Sequence, residues 1–278
     1  QHRRGEDMER MEMNKLLLIF MMMFLASSLM GAELRLSENF DDLSIDARLT
    51  TRIYGQWDIE PPVYSFGSGH GETGYSYGSG TSNEPFLEWI YGNTWYTEEL
   101  YVSFWMIYPT FTWCGAGDNI KFFYPIFGSN DKWEFATNSN DGSLYMIYDN
   151  NASMQDIYGA NSWGYPTLTN QADGNWHRYE FYINFDTGVI KFWYDRPEDN
   201  WTDGSYLKVS REFGSSWTTN YITLITIGSI DGSTPECPNA SIYTRFFDDI
   251  EVWDGIPEDD SPSTPTIRAG GIRSGGIR

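Results

Sequence analysis

Short runs of β-branched and aromatic residues, separated by Gly, Asn, Asp and Pro, are the feature that most restricts how this chain folds. No segment after residue 33 shows a sustained apolar stripe at the i, i+3, i+4, i+7 spacing of an amphipathic helix. Regular short strands with turn signals between them are typical of an antiparallel sandwich or barrel. The runs span residues 87–92, 100–108, 120–127, 143–149, 177–185, 188–195, 221–228 and 244–253.

The clearest hairpin lies in FDTGVIKF, where Asp186, Thr187 and Gly188 separate two alternating strands. Residues 177–185 of the first strand divide cleanly between two faces. One face carries Arg178, Glu180 and Asn184, and the other carries His177, Tyr179, Phe181, Ile183 and Phe185.

The two ends of the chain do not have the composition of a folded domain. Residues 1–32 comprise charged upstream residues, then Lys15, an apolar run over 16–26 and small residues ending at Ala32. This order is typical of a signal peptide cleaved after Ala32, and the run is shorter than the roughly 20 apolar residues of a membrane anchor. Residues 258–278 are a low-complexity tail or linker, which leaves one domain over 33–257 in a secreted, cell-surface or periplasmic protein.

The charge of the chain restricts its partners. There are 39 acidic and 18 basic residues, a net charge of −21. A nucleic-acid binder needs Lys and Arg to neutralise phosphates, so we expect no nucleic-acid partner. The same charge would repel polyanionic glycans unless Ca²⁺ or a local basic cleft intervened, which favours a neutral glycan.

Cys114 and Cys237 are the two cysteines, and both lie in segments that carry Gly or Pro. In an exported chain such a pair predicts one disulfide, and two free buried thiols are the alternative. A zinc site is not indicated, because the sequence has no CxxC and no histidine at ligand spacing.

The segment GNWHRYEFYINFDTGVIKFWYD (174–195) resembles the central hairpin of concanavalin A-like lectin/glucanase domains. ENFDD (38–42) and RFFDDIEVWDG (245–255) resemble the paired terminal strands of that fold. LYVSFWMIY followed by IKFFYPIFGS resembles its polysaccharide-lyase-like branch. The resemblance implies an all-β fold, a two-sheet antiparallel β-sandwich (jelly roll) with a concave sugar-facing sheet. The superfamily holds lectins, hydrolases, lyases and adhesion modules, so the fold leaves the activity open.

A structural Ca²⁺ site is implied by the same resemblance. In the resembling hydrolases, Ca²⁺ bridges the N-terminal segment and an Asp that begins the last strand. The DDIEV segment places Asp248 at that position, with Glu38 and Asp41 as possible N-terminal partners. Ca²⁺ takes about 6–8 oxygen ligands, so backbone carbonyls would complete the site. The alternative is that these acids cap turns.

Sequence patterns that would indicate catalysis are weaker than those that indicate the fold. The hydrolases of this fold commonly carry ExDxxE along one strand, and no such motif occurs here. Glu134, Glu180 and Glu251 lie in strand segments but have no carboxylate at i+2. A lyase needs a base such as His or Tyr and a group that neutralises a uronate. His70 and His177 are weak candidates for that base. A structural role is the alternative for His177, and a solvated loop histidine is the alternative for His70.

Aromatic residues are the strongest functional signal, since all 12 tryptophans follow the signal segment. Sugars stack on aromatic rings, while Asn, Asp and Gln bond their hydroxyl groups. We expect Trp105, Trp176, Trp193 and Trp253, which lie in strand segments, to be packed. The predicted sugar contacts lie in loops, including a long surface loop over 64–84, and are Trp95, Trp163, Trp201, Tyr75 and Tyr77.

We therefore interpret the chain as a secreted, lectin-like β-sandwich protein that binds a poly- or oligosaccharide. A polysaccharide lyase or an atypical glycoside hydrolase of the same fold is the first alternative. An extracellular structural or adhesion protein that associates with copies of itself is the second. In none of these does the chain span a membrane once the signal segment is removed.

Overall fold

The computed structural model describes the chain in separate ranges. They are residues 31–40, 44–51, 56–60, 73–77, 86–90, 94–107, 119–128, 131–138, 143–149, 155–158, 166–169, 171, 173–197, 200, 203–213, 221–231 and 245–257. The signal segment and the tail therefore lie outside the described residues.

Within these ranges the secondary structure is strand, with no helix. None of it could therefore cross a membrane as an apolar helix. The strands are β1 (Leu34–Glu38), β2 (Leu49–Thr51), β3 (Gln56–Glu60), β4 (Thr73–Tyr77), β5 (Phe86–Trp89), β6 (Trp95–Tyr96), β7 (Glu99–Ile107), β8 (Asn119–Phe127), β9 (Asp131–Asn138), β10 (Leu144–Asp149), β11 (Gln155–Asp156), β12 (Trp176–Asn184), β13 (Val189–Tyr194), β14 (Leu207–Glu212), β15 (Tyr221–Asp231) and β16 (Arg245–Trp253).

The described strands form two eight-stranded antiparallel sheets, in agreement with the expected β-sandwich. Sheet A has the order β14-β13-β12-β7-β16-β4-β3, with β1 also paired to β16. Sheet B has the order β11-β10-β9-β8-β15-β5-β2, with β6 also paired to β15. Many neighbouring strands are distant in sequence, so the chain passes back and forth between the sheets.

The predicted hairpin is present as β12 and β13, which pair from Tyr179 opposite Tyr194 to Asn184 opposite Val189. Gly188 has a φ of 68°, a left-handed conformation that glycine adopts without steric cost. The Asn184 side chain accepts hydrogen bonds from the backbone N and the hydroxyl of Thr187, at 2.8 Å each. The local sequence therefore closes the turn by itself.

The first and last described strands pair, as the resemblance implies, although the first strand is Leu34–Glu38 and shares only Glu38 with the segment 38–42. β1 lies antiparallel to β16, with Ser37 opposite Glu251 and Glu38 opposite Ile250. β16 also pairs with β7, and this ladder has a bulge between Asp248 and Glu251, where Asp249 has a φ of 46°. A bulge inserts extra residues into one strand and re-aims the side chains that follow.

The core between the sheets is strongly aromatic. Phe104 on sheet A has ring-centroid distances of 5.6 Å to Tyr179 and 5.7 Å to Phe123 of sheet B. Phe181 lies 5.3 Å from Phe135, nearly perpendicular to it, which is a favoured geometry for aromatic pairs. Aromatic rings therefore join the two layers.

The prediction of a surface loop over residues 64–84 is wrong for part of that segment. Residues 73–77 form β4, which pairs with β16 on one side and β3 on the other. The Gly/Ser/Tyr composition resembles a loop in isolation, but pairing within a sheet supplies the backbone hydrogen bonds that define a strand.

Phe104→Ala should lower the free energy of unfolding by about 3–5 kcal/mol, because it removes a fully buried ring and leaves a cavity. Urea or guanidinium unfolding of the variant would measure this change. Tyr96→Ala, at a side chain that is 69% exposed, is the control and should change stability by less than about 0.5 kcal/mol. Equal losses in the two variants would contradict the core described here.

Candidate functional site

The face of sheet A that points away from the core, here called the outer face, carries the polar and aromatic groups of interest. Phe104, Tyr179 and Phe247 point into the core, so their sequence neighbours point outward. Residues directly opposite each other in paired strands share a face. The register therefore places the outward side chains of β16, β7 and β12 in three rows, Trp253–Tyr101–Tyr182, Glu251–Ser103–Glu180 and Asp248–Trp105–Arg178.

Part of the outer face is closed by a small apolar cluster. Tyr101, Tyr182 and Trp193 are buried there although they lie outside the main core. The residues that pack against them come largely from the segments around β14 and after β16, and they are Val189, Tyr206, Leu207, Trp253 and Ile256. No ligand can stack on these three rings without displacing that cover.

A buried ion pair lies beside this cluster. Glu180 is fully buried, and its two carboxylate oxygens accept hydrogen bonds from Arg196, from Nε at 2.9 Å and from Nη2 at 2.5 Å. Tyr101 also donates its hydroxyl to Glu180. Arg178 lies on the same carboxylate, with Nη2 at 3.6 Å from Oε1. A buried carboxylate is stable only with such partners, and a two-pronged guanidinium contact is among the strongest of them.

Tyr101 is a donor in this network and not a base. Burial, together with the negative charge of Glu180, holds the pKa of Tyr101 far above its usual range. Burial, followed by the charge of Glu99, raises the pKa of Tyr182 to about 12. Burial likewise raises the pKa of Tyr194. All three phenols stay protonated at neutral pH, so none of them is ready to accept a proton.

The turn at the end of β13 brings Arg196 to the Glu180 carboxylate. Asp195 has a φ of 55°, so the chain turns sharply after Tyr194. The Asp195 backbone N donates to the Arg178 carbonyl at 2.9 Å, and its carboxylate accepts from the Arg178 backbone N at 3.1 Å. This double contact fastens the start of β12 to the end of β13, which brings Arg196 to Glu180.

His177 is held between two carboxylates at the start of β12. Its Nδ1 lies 2.8 Å from Asp195 Oδ2, its Nε2 lies 3.1 Å from Asp173 Oδ1, and its ring stacks on Tyr194. Burial lowers the pKa of His177, but the hydrogen bonds and charges of Asp195 and Asp173 outweigh it, so the net shift is upward. With both ring nitrogens engaged, His177 is a structural clamp rather than a free base.

An open depression of about 680 Å³ lies where β12 begins and β13 ends. The indoles of Trp105 and Trp176 are only partly buried there. The full lining comprises Trp105, Asn175, Trp176, His177, Arg178, Asp195, Arg196 and Pro197. Chemically, the depression offers aromatic faces for stacking beside hydrogen-bonding groups that are fixed by the network behind them.

Trp105 and Trp176 were expected to be packed in the core, and this is wrong. Trp176 lies opposite Ile107 and Trp105 lies opposite Arg178, both on the outer face. A strand position fixes only the alternation of side chains, whereas the sheet packing decides which face is covered. Trp193, by contrast, is buried as predicted.

Among the described residues, the lining of this depression includes none of the predicted sugar contacts. Trp95 lies in β6 rather than in a loop, and it packs on the core with its ring 5.2 Å from Trp89. Tyr75 lies opposite Asp58 and Phe246 in β4, and Tyr77 lies opposite Gln56. Trp163, Trp201 and the weak catalytic candidate His70 lie outside the described residues, as do Cys114 and Cys237. Their roles stay predictions.

Two of the three proposed calcium ligands are described. Glu38 is buried, and its carboxylate accepts hydrogen bonds from the backbone N of Phe40 at 2.8 Å and of Asp46 at 2.5 Å. Asp248 is fully buried on the outer face and accepts from the Asp249 backbone N at 2.8 Å. Over the described ranges no three His, Cys, Asp or Glu side chains are grouped as for a metal ion. Asp41 lies outside those ranges, so the calcium site stays a prediction.

Arg178, Glu180 and Arg196 are the site residues that sequence reasoning did not identify. The alternation of 177–185 already put Arg178 and Glu180 on one face. A pair of opposite charges on one face of an otherwise apolar strand was the available signal. The contribution of Arg196 had no such signal, because it depends on the turn at Asp195.

No protein-family model matches the chain, and neither does any curated protein sequence. Solved structures do match in fold. Cellulose induced protein Cip1 is 15% identical with a TM-score of 0.54, over 78% of this chain and 96% of that one. The binding domain of Paraclostridial Mosquitocidal Protein 1 is 10% identical with a TM-score of 0.52, over 81% of this chain and 50% of that one.

The binding domain of botulinum neurotoxin DC, solved in complex with rat synaptotagmin II, is 13% identical. Its TM-score is 0.50, over 81% of this chain and 49% of that one. The chain thus spans about half the length of the two toxin-type structures and nearly all of Cip1. Identities this low show a shared fold, the antiparallel β-sandwich.

Glu180→Ala should destabilise the protein by about 3–5 kcal/mol, because it leaves the Arg196 guanidinium buried without its counter-charge. The double variant Glu180→Leu/Arg196→Met should recover part of the loss, since it removes both charges of the pair and leaves only Arg178 without its contact to Glu180. Chemical unfolding measures both changes. Glu212→Ala, at an exposed position of β14, is the matched control. A single variant as stable as this control would contradict the ion pair.

His177 should make stability depend on pH. Its pKa is raised in the folded protein, so protonated His177 adds stability below its unfolded pKa, and the gain is lost as pH rises through the folded pKa. The wild type should therefore exceed His177→Gln in stability most at pH 5.5–6, with the gap narrowing towards pH 9. Urea midpoints across this range, with an NMR titration of the ring, test this. A gap that widens with pH would contradict the clamp.

Proposed function

We propose that this is a secreted carbohydrate-binding protein of the concanavalin A-like superfamily, and that it holds a poly- or oligosaccharide in the depression beside Trp105 and Trp176. The observation that carries the proposal is the pairing of two partly exposed indoles with fixed polar groups on a rigid sheet. Flat aromatic faces and convergent hydrogen-bonding groups are what a sugar ring requires. Membership of the superfamily is supported by the sandwich, the paired terminal strands and the β12–β13 hairpin.

Charge favours a neutral saccharide over a polyanion. Arg178 and Arg196 share the Glu180 carboxylate, and His177 lies between two aspartates. The cations that line the depression are therefore largely compensated, within a chain whose net charge is −21. A neutral chain of sugars meets no repulsion from this field, whereas a polyuronate does.

Binding is better supported than catalysis. A glycosidase needs one protonated and one ionised carboxylate at the scissile bond, and Glu180 is instead buried against Arg196. A lyase needs a free base, and the described phenols and His177 at this site do not provide one. The arginines would suit a uronate, so a lyase that uses residues outside the described ranges is the second candidate.

Trp176→Ala and Trp105→Ala should each weaken saccharide binding about fivefold, since one stacking contact contributes about 1 kcal/mol. Isothermal titration with a β-glucan, a xylan and a polyuronate, combined with affinity electrophoresis, measures the loss and ranks the ligands. Tyr158→Ala removes an aromatic side chain that is 48% exposed away from the depression, and it should leave affinity unchanged.

Two outcomes would redirect the proposal. Unsaturated uronates or new reducing ends released by the wild type would favour the enzyme alternative. Equal affinity in all three variants, together with concentration-dependent assembly in light scattering, would favour the self-associating structural protein.

A further inference from the structure

The backbone nitrogen of Glu33, just before β1, contacts the carboxylate of Asp254, just after β16. It donates a hydrogen bond to Asp254 Oδ1 at 2.5 Å, and the Asp254 backbone N donates back to the Glu33 carbonyl at 3.2 Å. Arg35 occupies the other oxygen of the same carboxylate, with Nε at 3.0 Å from Oδ2. Asp254 therefore joins the start of β1 to the end of β16.

The surroundings of this contact are rich in negative charge. A depression of about 630 Å³ beside it is lined by Gly31, Ala32, Glu33, Arg35, Glu98, Glu99, Asp254, Gly255 and Ile256. It holds four carboxylates and one guanidinium, and Arg35 already contacts two of those carboxylates, on Glu33 and Asp254. An additional positive charge placed here would be attracted.

The peptide bond that precedes Glu33 is the predicted signal-cleavage site. We propose that cleavage after Ala32 creates an N-terminal ammonium at Glu33 that pairs with Asp254, so that processing itself fastens β1 to β16. This rests on the proposed export of the protein and not on saccharide binding. A signal peptidase hydrolyses the bond with one water, which leaves a carboxylate on Ala32 and a protonated amine on Glu33.

Cleavage changes the chemistry of a contact that already has the right geometry. In the uncut chain the Glu33 nitrogen is a neutral amide with one hydrogen. After cleavage it has a full charge and three hydrogens, and hydrogen bonds between ionised groups are roughly twice as strong as neutral ones. Among the described strands, β1 pairs only with β16, so this end contact matters for keeping the strand in place.

The pH dependence has a definite sign. Pairing with Asp254 raises the pKa of the terminal amine above its ordinary value of about 8. Its stabilisation is then complete below about pH 7 and is lost as pH rises through the raised pKa. The charged groups around the amine are those that line the depression, Glu33, Arg35, Glu98, Glu99 and Asp254.

The test compares secreted proteins made from two full precursors. One has the native sequence, and the other has Gly-Ser inserted between Ala32 and Glu33, which moves the terminal amine about 7 Å away. Each is also made as Asp254→Asn, with Asp203→Asn, a fully exposed acid, as the matched control. Mass spectrometry identifies each mature N-terminus, and melting temperature is recorded from pH 6 to 10.

The native mature protein should begin at Glu33 and melt about 1–3 °C above the extended one at pH 6–7. The difference should vanish in Asp254→Asn, persist in Asp203→Asn, and shrink towards pH 10. If Asp254→Asn does not fold, the pH scan of the other proteins decides alone. A mature terminus other than Glu33, or a difference that is absent, independent of pH or retained in Asp254→Asn, overturns the proposal. Saccharide titration of the same samples reports on the proposed function separately.

Discussion

The buried Glu180–Arg196 pair is the interaction on which the end of the sandwich that holds the depression depends. β12 lies inside sheet A, and its core side is covered by the aromatic cluster around Phe181. Its outer side carries a carboxylate with no exposure to solvent, which would be strongly unfavourable without a counter-charge. Arg196 supplies that charge only because Asp195 turns the chain after β13 and bonds the backbone of Arg178.

The same network holds the groups around the depression in fixed positions. The groups that look most reactive are already engaged, since the carboxylate is paired, the phenols keep their protons and the imidazole is held at both nitrogens. The groups left accessible in the depression are aromatic rings and side-chain donors. The hydrogen bonds of the Glu180–Arg196 network and of Asp195 hold these donors in position. Fixed geometry lowers the entropy lost when a ligand binds, which supports the proposed recognition of a saccharide.

The two ends of the domain meet where β1 pairs with β16, and Asp254 contacts residues at the start of β1. Its carboxylate accepts from the Glu33 backbone and from Arg35, on strands that come from opposite ends of the sequence. Strand pairing between distant segments is costly in chain entropy, so a local charge contact at the junction has a clear physical purpose. The contact also links the fold to the processing predicted at Ala32.

The sequence alone determined many of the strands, the β12–β13 hairpin and the all-β class, because alternation and turn residues are local properties. The pairing of the terminal strands was implied by the resemblance to a known fold, and β4 and β6 were assigned to loops. The sequence also determined the acidic charge and the abundance of aromatic residues. It could not say which face of β12 is covered, and so Trp105 and Trp176 were assigned to the core, whereas Trp95 was assigned to a sugar-binding loop. Only the tertiary structure decided these points, because the cover over a face, the partner of Glu180 and the position of Arg196 arise from segments that are distant in the chain or that turn at a single backbone conformation.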